Sequence, residues 1–115
     1  LLSAEGDRNA QSVTITLLVT NKGLNQKVYI DRFGATAIDV IGNGGSISEI
    51  SVGSETHFGT LYTNVPVRIK LTFNSVMPGT EMFNIVAFKM SSVDENSRVS
   101  PVKEQVEIRN VSINW

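Results

Sequence analysis

Apolar and polar residues alternate along several short stretches of this chain, and the alternation is period two rather than helical. The clearest run is Val65 to Phe73, where Val65, Val67, Ile69, Leu71 and Phe73 point one way and Arg68, Lys70 and Thr72 the other. The run from Val13 to Val19 repeats the pattern, with Val13, Ile15, Leu17 and Val19 inward and Thr14 and Thr16 outward. Each predicts a strand with one wet face, as in an antiparallel sheet. Shorter strands are expected from Val28 to Ile30 and from Ala35 to Ile41, flanking a bend at Arg32-Phe33-Gly34. Further strands are expected from Ser46 to Val52 and from Thr56 to Tyr62. Met82 to Met90 is apolar on both faces, the pattern of a central strand covered on both sides. Near the C-terminus Val106 and Ile108 share one phase while Val111, Ile113 and Trp115 share the other. A β-bulge near Arg109-Asn110 reconciles the two.

Turn residues separate these runs: Asn21-Lys22-Gly23, Gly42-Asn43-Gly44-Gly45, Gly53-Ser54, Pro78-Gly79, and a polar, mobile loop from Ser91 to Pro101. Seven or eight short strands at that spacing predict an all-β fold, an antiparallel immunoglobulin-like β-sandwich, with a closed barrel as the alternative. Fourteen valines, ten isoleucines and nine threonines reinforce the strand reading, because β-branched side chains suit a pleated surface. At 115 residues without an internal repeat or linker, residues 1–115 read as one domain.

Composition narrows the functional classes. A net charge of −1 gives no bulk attraction to nucleic acid, and no apolar run is long enough for a membrane-spanning helix. Cysteine is absent, which excludes disulfides, thiolate metal sites and cysteine nucleophiles. The opening Leu1-Leu2-Ser3 lacks an initiator methionine, so a processed piece of a longer precursor is expected.

Candidate chemistry is sparse. His57 is the single histidine and has no nucleophile motif near it, so it reads as a surface or edge-strand residue. The acids Glu49, Glu55, Glu81, Asp94 and Glu95 lie in or beside turns, where carboxylates are ordinarily solvated. Asp94-Glu95-Asn96 and the pair Asp39 and Asn43 lack the ligand alternation of a dedicated calcium loop, so no metal is assigned. Gly42 to Gly45 follows an apolar run, yet another strand comes next where a phosphate loop needs a helix. No catalytic residue or cofactor is expected, and the chain reads as a non-enzyme. Arg68 and Lys70 share the outer face of one strand, and Lys89 joins them if the strands pair suitably. These three form a candidate basic face for an acidic peptide or glycan. Phe33, Phe73, Phe83 and Phe88 read as core, leaving Tyr29, Tyr62 and Trp115 for any stacking platform. Asn110-Val111-Ser112 matches the glycosylation sequon within an expected strand.

The run Val13 to Asn21 with Lys22-Gly23, the turn Asp39-Val-Ile-Gly-Asn-Gly44, the strand Val65 to Phe73 and the closing run Val106 to Ile113 together carry a family likeness. From Ser12 to Trp115 the chain resembles telokin-like, immunoglobulin-like domains of secreted or lipid-anchored bacterial proteins. That resemblance implies a non-catalytic interaction or structural module in the cell envelope or outside the cell. A partner protein would be met through loops or a sheet edge. A local likeness of Val67 to Asn74 to clathrin-adaptor ear domains implies the alternative, an intracellular peptide-recruiting sandwich using the basic face. Exposed strand edges suit a dimer without requiring one.

Overall fold

The computed structural model describes residues 3–94 and 102–115, and among these residues there is no helix. None is therefore long and apolar enough to cross a membrane. Nine strands occur among the described residues, in order: β1 (Ser3–Asp7), β2 (Ser12–Thr20), β3 (Gln26–Asp39), β4 (Gly44–Val52), β5 (Glu55–Thr56), β6 (Phe58–Leu61), β7 (Pro66–Asn74), β8 (Met82–Asp94) and β9 (Val102–Ser112). They form one antiparallel sheet in the order β1-β2-β7-β4-β3-β8-β9, with β5 paired to β4 and β6 to β3. The alternation in β2 and β7 places Val13, Ile15, Leu17, Ile69, Leu71 and Phe73 in the core, while Arg68 and Lys70 stay in water.

The sheet is curled into a half-barrel. Strands β7 and β8 are not hydrogen-bonded neighbours, because β4 and β3 lie between them. Even so, Phe73 of β7 and Phe83 of β8 meet edge to face with ring centroids 6.2 Å apart. One hydrophobic cluster therefore gathers side chains from both halves of the sheet, among them Ile15, Ile50, Ile69, Ile30, Val86 and Val111.

Irregular pairings explain where simple alternation misleads. The two short strands expected around Arg32-Phe33-Gly34 are one strand, β3, whose register against β8 jumps between Asp31 and Thr36. The extra residues bulge outward and carry Phe33 with them, so this ring is 96% exposed and not core. Val40 and Ile41 belong to the β3–β4 turn and not to a strand, and they are exposed. The double-sided apolar pattern of Met82 to Met90 has a related cause. Ile38 pairs with Ile85 but Asp39 with Phe83, so β8 holds an extra residue at Asn84. That extra residue switches the inward phase from Phe83 to Val86 and Phe88. Strand β9 changes phase opposite this point, at Asn110 with φ 56°, yet its register with β8 is unbroken from Phe83↔Val111 to Ile85↔Arg109. The expected slip is thus shared by both strands. The stretch expected as one strand from Thr56 to Tyr62 is divided at His57 (φ 67°), where the chain leaves β4 and joins β3. Ser91 to Asp94 continues β8, and the remainder of the loop expected there lies outside the described residues.

The two ends of the sheet meet at one point. Gly6 N–H donates to the Asn114 carbonyl (2.7 Å) and Asn114 N–H to the Ala4 carbonyl (2.9 Å), a parallel bridge between β1 and the chain beyond β9. The Trp115 ring lies over Gly6, where a Cβ would collide with it. Its indole N–H donates to the Thr80 carbonyl at 2.6 Å. The Arg8 guanidinium sits 5.9 Å from the ring centroid.

The β3–β4 turn is held by Asp39, whose Oδ1 accepts from the backbone N–H of Ile41 (3.0 Å) and Asn43 (2.9 Å). Gly42 takes the left-handed φ of 87° that this turn requires. Asp39→Ala leaves both donors to water and is expected to lower stability by about 1 kcal/mol, the usual size for losing a side-chain cap. Thermal denaturation followed by circular dichroism measures it, with a fall in Tm of roughly 4 °C as the expected result.

Candidate functional site

Arg68 and Lys70 lie on the outer face of β7, beside Leu18 and Thr16 of β2, with Ser51 of β4 on the other side of Lys70. Lys89 does not join them. It lies on β8, whose neighbours are β3 and β9, and its register partners are Asp31 and Gln105. The three candidate binding residues thus occupy outer faces of different halves of the curled sheet. His57 is half-buried between the short strands β5 and β6. At the strand switch its N–H donates to the Ile50 carbonyl (3.2 Å) and its carbonyl accepts from Ile30 N–H (2.8 Å), which stitches β4 to β3. Its Nδ1 is buried without a hydrogen-bond partner among the described residues. Among the described residues no group of three or more acids and histidines converges to hold a metal. The Asp39 carboxylate is engaged by its own turn. Glu95 and Asn96 lie outside the described residues, while Glu49, Glu55 and Glu81 are exposed.

The three aromatic candidates separate. Trp115 is tied into the Gly6 and Thr80 contact, so its ring serves the fold. Tyr29 and Tyr62 are open to solvent, at 51% and 52% exposure. A third ring joins them. Phe58 is the direct cross-strand partner of Tyr29 and is 57% exposed. In β6 the inward positions are Gly59 and Leu61, so Phe58, Thr60 and Tyr62 all face outward. Gly59 sets that strand's position: a Cβ there would stand 2.8 Å from Val52 Cγ1 and 3.1 Å from the Val52 carbonyl oxygen. The close approach of β6 to β4 fixes where Phe58 presents its ring.

Two concavities flank the rings. One, of about 450 Å³, is lined by Tyr29, Asp31, Lys89, Ser91, Lys103 and Glu104 among others. The other, of about 640 Å³, runs past Phe58 and Tyr62 with Lys27, Glu55 and Thr60. Lys89 lies across the β3 bulge, its Cγ 3.0 Å from where a Cβ on Gly34 would be. The candidate lysine from β8 therefore belongs to the aromatic face. A second exposed apolar group, Val40, Ile41 and Met77, sits on the loops around a cavity of about 460 Å³ lined by Gln11, Asp39 and Val76.

Comparison with protein-family models, curated proteins and solved structures finds no match to this chain. Its site must be read from its own geometry. Sequence patterning named Tyr29, Tyr62 and Lys89 individually but missed Phe58. The available signal was Phe58-x-Thr60-x-Tyr62 alternating with Gly59 and Leu61.

Proposed function

We propose that this chain is a non-catalytic binding module. Its face of action is the outer side of β6, β3 and β8. One observation carries the reading: Tyr29, Phe58 and Tyr62, three half-exposed rings, gather on one sheet face between two concavities. Large aromatics left in water together are costly to solubility and mark interaction sites when they cluster. An immunoglobulin-like β-sandwich plan is the finer architectural proposal, supported by the Phe73–Phe83 contact between the two halves of the sheet. Placement in a secreted or lipid-anchored bacterial envelope protein is likewise proposed, on the resemblance of Val13 to Asn21 and Val65 to Phe73 to such domains.

The alternative reading, recruitment of acidic peptides by the basic face, retains Arg68 and Lys70 but loses Lys89 to the other half of the sheet. One experiment separates the two. Purified domain is co-sedimented with cell-envelope fragments of its source organism, and wild type is compared with Tyr29→Ala/Phe58→Ala and with Arg68→Glu/Lys70→Glu. All four residues are exposed, so both variants should keep the wild-type circular dichroism spectrum. Saturable binding is expected, weakened about tenfold or more by the aromatic pair and unchanged by charge reversal, since buried aromatic anchors dominate binding energy. Loss of binding on charge reversal alone would transfer the function to the β7 face. Absence of saturable binding by wild type would contradict the envelope reading.

A further inference from the structure

Resting on the binding-module reading above, we infer that the aromatic face takes a neutral polysaccharide. The rings supply the first argument. Tyr29 and Phe58 stand directly opposite one another, and cross-strand partners hold their Cβ atoms about 5 Å apart. Tyr62 lies four residues beyond Phe58, roughly 13 Å along an extended chain. A row of half-exposed rings can offer negative π surface to the weakly positive C–H groups of sugar rings. The polar flank supplies the second. Around Tyr29 the donors Lys89 and Lys103 share the outer face with the acceptor Asp31 and with Gln105, whose amide both donates and accepts, and Lys27 and Glu55 line the concavity beside Phe58. A sugar hydroxyl both donates and accepts, so a mixed set of this kind satisfies it.

Charge balance decides against other ligands. Each concavity carries charge of both signs, Lys89 and Lys103 with Asp31 in one and Lys27 with Glu55 in the other. A polyanion meets a carboxylate, and a polycation meets an ammonium, wherever it settles on the face. A protein partner fits less well, because the buried centre of a protein interface is depleted of charged residues. Here charges border the ring pair on both sides. The extended layout, rings between two separate concavities, suits a polymer lying across the strands better than a single small sugar.

The test is affinity electrophoresis of the domain in native gels containing xylan, mannan, β-1,3-glucan or hydroxyethylcellulose, with polygalacturonate as the anionic comparison. Mobility is read relative to a glycan-free gel. Retardation is expected in at least one neutral gel and not in polygalacturonate. It should persist in Arg68→Glu/Lys70→Glu and weaken about tenfold for each ring removed in Tyr29→Ala and Phe58→Ala, the usual loss for one stacked aromatic. No retardation in any neutral gel overturns the inference, as does retardation that survives loss of both rings. If envelope co-sedimentation still depends on Tyr29 and Phe58 while every neutral gel is silent, the binding module stands. Its partner is then a protein, and the polysaccharide assignment fails.

Discussion

Phe73→Ala is expected to remove about 3–5 kcal/mol of stability, the range for deleting a buried aromatic ring. Phe73 is fully buried, and its ring is the point where β7 touches Phe83 of β8 across the interior of the curl. Two losses combine there: the transfer free energy of the ring and the unfilled cavity between two strands, β7 and β8, that are not hydrogen-bonded neighbours. Small domains have only about 5–15 kcal/mol in total, so the variant should unfold at markedly lower denaturant or fail to accumulate folded. Phe33→Ala is the matched control. Its ring is 96% exposed on the β3 bulge, and its loss should change stability by no more than about 0.5 kcal/mol. Guanidinium unfolding of the two variants measures the contrast. Similar losses for both would contradict the placement of the core.

The second large effect is expected where the ends of the sheet meet. Trp115→Ala should cost roughly 2–3 kcal/mol, below the usual value for a fully buried tryptophan because this one is only half-buried. The variant loses the ring's packing on Gly6, the hydrogen bond to the Thr80 carbonyl and the Arg8 contact. Gly6→Ala should cost about 1–3 kcal/mol by a different route, since the new methyl occupies the space of the indole and forces it out. The two effects act on one contact, so they should not add. In the double variant the methyl has room, and the combined loss is expected to fall short of the sum by about 1 kcal/mol or more. Urea unfolding of the four proteins in this cycle gives the coupling directly. Additive losses would show that Trp115 and Gly6 do not close the sheet together.

Strands with one wet face were legible from residue alternation, because burial on a pleated surface imposes period two. Strands β2 and β7 follow it, apart from the extra burial of Ser12 and Thr16. Strand β1 was not legible. Ser3–Asp7 contains a single apolar position, Ala4, and forms by backbone pairing with β2 and the Asn114 bridge. Phe33 misled because apolarity alone predicts burial, whereas a bulge in β3 decides which way that ring points. The division at His57 is hidden for a similar reason: alternation cannot show that a strand changes partners midway. At the candidate site, Tyr29 and Tyr62 stood out as rings without a core role, and Lys89 as an outward lysine. That Lys89 joins the aromatics and not Arg68 depends on strand order, which no local pattern encodes. Trp115 left the aromatic set because Gly6, at the far end of the sequence, provides the space that receives it.

The measurement that tests the central claim most directly is amide chemical-shift mapping of the ¹⁵N-labelled domain titrated with xylohexaose, mannohexaose, laminarihexaose and cellohexaose. Saturable shifts are expected from at least one of them, confined to Tyr29, Phe58, Thr60, Ser91 and their neighbours on β3, β6 and β8. Shifts centred instead on Arg68 and Lys70, or on the loops bearing Ile41 and Met77, would contradict the account, as would a spectrum that no oligosaccharide moves.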